Sequence, residues 1–145
     1  MSMGDLYDAD VFEWSQHQAA LLRRRAAGEL VNEAELDWPN IAEEIESVGR
    51  DQLHAVESFL VQALLHDLKA EAWPATPYVG AWRGEARRFR GEAADRFTLS
   101  MRRKIDLAKI YRRALRAMPD EIDGLKPLPV SHTCSFSLDE LLSDN

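Results

Sequence analysis

Apolar residues recur at steps of three and four along most of this chain, the period of an α-helix with one buried face. Tyr7, Val11, Trp14, Gln18, Leu21 and Leu22 form the first such stripe, with Asp8 or Asp10 placed to cap the helix and Gly28 to stop it. Residues 29–36 lack the period and predict a loop or one short turn. Asp37 then offers a carboxylate to the free amides of a new helix, and Pro39 in its first turn gives up only a donor that had no partner. Ile41, Ile45, Val48, Val56, Phe59 and Ala63 share one side of that helix if it runs on through Gly49. Glycine costs about 1 kcal/mol against alanine inside a helix, so continuation, a kink and a break all remain compatible with the pattern.

From Leu60 to Leu68 the apolar residues surround the axis, predicting a helix packed on several faces. Pro74 and Pro77 turn the chain after Trp73. A third helix carries Val79, Trp82, Ala86, Phe89 and Ala93 as its seam, flanked by Arg83, Arg87, Arg88 and Arg90. A fourth, opened by Thr98 or Ser100 and ended by Pro119, has Leu107, Ile110, Tyr111, Ala114 and Met118 on one face and Arg102, Lys109, Arg113 and Arg116 on the other. Beyond it lies a loop containing Pro127 and Pro129. Ser137 and Glu140 then form a capping box before Leu141 and Leu142, predicting a short terminal helix. With no strand pattern, the expectation is an all-α fold: one domain over residues 1–145, an antiparallel bundle of about four helices, with 118–145 as an appended tail.

A chain of 145 residues can bury about two-thirds of its unfolded surface in one core. The 46% apolar and 30% charged composition is that of an ordinary globular protein. There is no bilayer-length apolar run, and residues 1–10 are too acidic for a secretory signal, which predicts a soluble, cytoplasmic protein with no membrane association. The single cysteine, Cys134, excludes a disulfide or a multi-thiolate zinc site within one chain. The net charge of −7 is unevenly spread. Residues 1–82 hold 5 basic and 15 acidic side chains, residues 83–116 hold 12 and 4, and residues 117–145 hold 1 and 6. Such blocks suit either a nucleic-acid surface or two parts of one domain that attract each other.

Several segments in order resemble a known family: Tyr7-Asp-Ala-Asp10, Trp14, Gln18-Ala-Ala-Leu-Leu22, Asp37-Trp38, Ile41-Ala-Glu-Glu-Ile-Glu-Ser-Val-Gly49 and Leu64-Leu-His-Asp-Leu-Lys69. Together they look like the bacterial family catalogued as domain of unknown function 29. The likeness is dense from 6 to 69 and looser from Trp82 to the terminal Leu-Asp-Glu-Leu-Leu. It implies an all-helical fold and a bacterial source, and brings neither an activity nor a cofactor with it.

Candidate chemistry is sparse. Glu43, Glu46, His54 and Glu57 fall within an arc of about 80° on one continuous helix, and Glu and His are legitimate ligands for zinc, manganese or iron. His66 is a fifth weak metal candidate. Glu43 and His54 are about 16 Å apart along the axis, however, so the four cannot share one ion. Acids near a helix N-terminus are also favoured by about 0.3–1 kcal/mol each without any ligand. For His66, a ring nitrogen bonded to backbone or a carboxylate is the simpler role. Trp14, Trp38 and Trp82 read as core anchors. No catalytic residue and no cofactor is indicated, because phosphate-loop, nucleophile-elbow and Cys–His signals are all missing. The functional expectation is a non-enzymatic protein-interaction module, with a protein partner or self-association through an exposed aromatic or leucine face. The alternatives are nucleic-acid binding through Arg102, Lys109, Arg113 and Arg116, and a metal-dependent enzyme using the Glu/His face.

Overall fold

The computed structural model describes residues 2–143. Among them the regular structure is helical: α1 Met3–Ala9, α2 Val11–Ala26, α3 Trp38–Ala72, α4 Val79–Arg96, α5 Leu107–Arg116 and α6 Leu138–Leu142, with short 3₁₀ turns at Glu33–Glu35 and Leu99–Met101. The expected all-α class is the one found. The chain forms two compact units, divided between Arg50 and Asp51.

In the first unit, the expected single N-terminal helix is two. Asp10 leaves helical geometry at φ −154°, ψ 85°, and its carboxylate accepts the Glu13 amide, so it caps α2 rather than continuing α1. Ser2 and Asp5 close a capping box over α1. The break re-aims the stripe. Val11 is exposed, while Trp14, Gln18 and Leu21 are buried. Gly28, at φ +84°, takes the left-handed conformation just beyond α2 that ends helices cheaply only at glycine. Leu36 and Ile41 join Trp14 and Leu21 in a small core, with Leu6, Tyr7, Leu22 and Val31 packed around it.

Helix α3 is unbroken across Gly49 for 35 residues. A methyl group built on Gly49 would meet nothing within 4 Å, so no close approach demands this glycine. The Asp37 backbone carbonyl takes the first helical bond, from Ile41. Its carboxylate, expected to cap amides, instead accepts from the Trp14 indole at 3.0 Å and the Asn40 side chain at 2.8 Å.

In the second unit, the apolar stretch of α3 meets α4, α5 and the C-terminal segment. Val56, Leu60, Val61, Leu64, Leu65 and Leu68 pack with Ala93, Ile110, Tyr111, Ala114 and Leu141. Contacts between α3 and α4 run in reverse order along the two helices. Lys69 lies over Trp82, Asp67 meets Arg83, His66 meets Phe89, and Phe59 meets Phe89 and Arg96. This antiparallel hairpin follows from the short Pro74–Pro77 turn. Fully buried Ala86 and Ala93 put small side chains where α4 crosses its neighbours.

The expected start of the fourth helix at Thr98 or Ser100 is not found. Leu99–Met101 is a 3₁₀ turn, and α5 begins at Leu107, where the Asp106 carboxylate accepts the Lys109 amide. The Ser137–Glu140 capping box forms as expected. A five-residue helix is too short to be stable alone. Burial of Leu141, worth about 1.5–3 kcal/mol, is what holds α6. The segment before it is also bonded into the unit: Trp73 Nε1 donates to the Leu125 carbonyl, Leu128 N–H to the Ala72 carbonyl, and Tyr111 Oη to the Ser131 carbonyl.

Candidate functional site

Three features of the described surface have chemical or physical character beyond packing. The first is on α3. Trp38, Ile41, Ile45 and Val48 share an arc of about 80°. Ile41 is covered by the first unit's core, but Ile45 and Val48 are 69% and 65% exposed, contrary to the inward stripe expected of them. Trp38, expected as a core anchor, is 46% exposed. Ile41 is the one residue of this stripe in the first unit's core, and periodicity alone does not say how far a neighbour's cover reaches. Glu44 borders this strip and accepts the Tyr7 hydroxyl at 2.5 Å, while on other faces of the helix Arg50 pairs with Glu43 at 2.7 Å and Glu46 at 3.6 Å. Residues 1–50 carry eleven acidic and four basic side chains.

The Glu44 contact also perturbs Tyr7. Its hydroxyl donates to a carboxylate, an arrangement lost on ionisation, so its pKa is pushed up to about 12. Tyr78 is raised by a hydrogen bond to Asp123 and Tyr111 by burial. A spectrophotometric titration of the native protein should therefore find all three tyrosines ionising above the usual value near 10, with one near 12. Because the folded-state value of Tyr7 is raised, the stability it contributes is whole below pH 10 and is lost as pH climbs through about 12. One tyrosine titrating normally before unfolding would contradict the geometry.

The second feature is the cationic face of α5. Lys109, Arg113 and Arg116 lie on it as expected. Arg112 joins them, completing an arc of about 100° on the ten-residue helix. All four are exposed, and among the described residues none forms an ion pair. Arg102 does not belong to this face. It follows the 3₁₀ turn outside the helix and pairs with Asp139 at 2.7 Å.

The third feature was not anticipated. Asp67 is buried and holds two guanidinium groups, Arg83 Nη1 at 2.8 Å and Arg90 Nη1 at 2.7 Å. Arg83 and Arg90 are seven residues apart and so share one face of α4. The three line a cleft of about 340 Å³ with Phe136, Glu140, Leu141 and Ser143. The available signal was the one acid inside the mostly apolar Leu60–Leu68 run, since a carboxylate there needs partners.

The five candidate metal ligands stand at separate points. Glu43 and Glu46 are bound to Arg50. His54 and Glu57 line a cleft of about 340 Å³ with Ser58 and Arg113. His66 places Nδ1 2.7 Å from the Gln62 carbonyl and packs its ring 5.4 Å from Phe89, the backbone-bonded role expected of it. Among the described residues, no group of three or more His, Cys, Asp or Glu side chains gathers at metal-binding range. Cys134 sits in another cleft, with His132, Arg112 and Tyr111, but burial raises its thiol pKa, the opposite of what a nucleophilic cysteine requires. No described helix is long and apolar enough to cross a membrane.

A search of curated proteins finds no match. Among solved structures, the chain is similar to an α-helical protein of unknown function from Rhodospirillum rubrum, at 31% identity and a TM-score of 0.69, covering 96% of this chain and 90% of that one. The family model for the domain of unknown function DUF29 matches residues 6–145. With nearly its whole length matched, the chain belongs to the DUF29 family.

Proposed function

We propose that this protein is a non-enzymatic, cytoplasmic interaction module whose α3 strip, centred on Ile45 and Val48, docks a basic amphipathic segment of a partner protein. The observation that carries this reading is one helical stripe, buried at Ile41 and open at Ile45 and Val48. Two large aliphatic side chains left in water on one face forgo about 1.5–3 kcal/mol each, which a partner's apolar face recovers. The net negative charge of residues 1–50 supports a cationic partner over a second copy, since self-pairing brings two like-charged units together. A metal-dependent enzyme gains no support, because the candidate ligands do not converge.

The test places a photo-crosslinker at Val48 and compares the wild-type background with Ile45→Glu. A crosslink to one basic protein, lost in the variant while helicity is kept, supports the reading. A crosslink only to a second copy replaces the proposed partner with self-association. A strictly monomeric protein with no specific crosslink overturns it.

A second reading, nucleic-acid binding, rests on the four exposed cations on one face of α5. Four phosphate contacts predict that log K falls with log salt at a slope of about −3 to −4. Retention of DNA or RNA lost on substituting Arg112, Arg113 and Arg116 would favour it. No retention at low salt would remove it.

A further inference from the structure

We propose that the cleft formed by α3, α4 and α6 binds a small oxyanion, a phosphate or carboxylate group, on the paired guanidinium groups of Arg83 and Arg90. Asp67 does not use up these cations. Its two oxygens are divided, Oδ1 taking one Nη of Arg83 and Oδ2 one Nη of Arg90. A guanidinium carries five N–H donors in a planar fork, so most of each fork remains for an acceptor in the cleft that both arginines line. Asp67 acts as the orienting carboxylate, fixing the spacing and tilt of two donors that would otherwise move freely.

Both guanidinium groups stand beside the apolar walls Phe136 and Leu141, where a low local dielectric strengthens a charge-assisted bond. Arg90 is only 18% exposed and is poorly compensated by solvent. Among the described residues the other acid of the cleft, Glu140, balances the second guanidinium in net charge, and its Oε1 already accepts the Ser137 amide at 3.2 Å in the capping box. An oxyanion seated across the two forks makes charge-assisted bonds to both. The volume, about 340 Å³, lies at the small end of ligand sites. The site is independent of the α3 strip, so either can fail without the other.

The experiment titrates the full chain with inorganic phosphate and, separately, with succinate, each against sodium chloride at equal ionic strength. The wild type should show a saturable rise in Tm with one oxyanion beyond the chloride control. Arg83→Gln, which alters a half-exposed side chain, should weaken it by about tenfold or more, with Arg83→Lys in between. Arg103→Gln, an exposed cation elsewhere, should change nothing. A response to phosphate alone assigns a phosphate ligand, and a response to succinate alone a carboxylate. Equal shifts in chloride, or an Arg83→Gln variant that binds like wild type, overturn the proposal. Should Arg83→Gln fail to fold, the wild-type arginine Nε–Hε resonances decide. Movement of the Arg83 and Arg90 signals on titration supports the site, and their immobility overturns it.

Discussion

Trp73→Ala should cost the Asp51–Asn145 unit about 3–5 kcal/mol and lower its Tm by 10 °C or more, the largest loss expected from one substitution in this chain. Trp73 is among the largest fully buried side chains, at 2% exposure. Its indole Nε1 donates to the Leu125 carbonyl at 2.8 Å, tying the end of α3 to a segment 52 residues away. Alanine leaves a cavity and takes from the Leu125 carbonyl one of its two donors, the Ile122 amide remaining, and the Leu128–Ala72 backbone bond beside it loses its support. Trp73→Phe separates the two effects: it keeps most of the volume and drops the donor, for an expected cost of about 1–2 kcal/mol. Urea unfolding followed by far-ultraviolet circular dichroism measures both variants. A cost under about 1 kcal/mol for the alanine variant would mean that the C-terminal segment is not held by this residue.

Asp67→Asn should destabilise the same unit by about 3 kcal/mol, because a guanidinium that is mostly buried loses the carboxylate it is paired with. The greater part belongs to Arg90, at 18% exposure. Arg83 is 49% exposed and water screens it, so its share is at most about 1 kcal/mol. A double-mutant cycle distinguishes a lost pair from a general packing defect. Arg90→Gln in the Asp67→Asn background should recover part of the loss, since two neutral amides can bond where a lone cation cannot. If Asp67→Asn unfolds at the wild-type denaturant midpoint, the network contributes nothing to stability.

Legibility in the sequence followed the range of the forces involved. The α3 start, the turn at Pro74 and Pro77, the stop at Gly28 and the Ser137–Glu140 box were readable because each depends on a few neighbouring residues. The break at Asp10 was visible only as one of two possible caps, since whether α1 and α2 are continuous depends on which carboxylate takes an amide. Thr98 and Ser100 misled for the same reason. They are good caps by type, but Asp106, eight residues beyond Thr98 and six beyond Ser100, holds the Lys109 amide.

Of the candidate sites, the cationic face of α5 was nearly complete in the sequence, because helical spacing alone gathers Lys109, Arg113 and Arg116. Arg102 was assigned to it only through the misplaced helix start. The Asp67 network was hidden. Its acid and its two arginines lie on different helices, 16 and 23 residues apart, and no local pattern links them.

By itself, then, the sequence determined the all-α class, most helix locations and the family, since period, capping and motif order are properties of short stretches. Only the tertiary structure decided which apolar residues are covered and which charges meet. Ile41 and Ile45 are a turn apart on one stripe, yet one is buried and the other open, because burial depends on where a neighbouring helix ends. Asp67 acquires its two cations for a similar reason: the antiparallel course of α4 brings Arg83 and Arg90 to a carboxylate that must be paired once it leaves water.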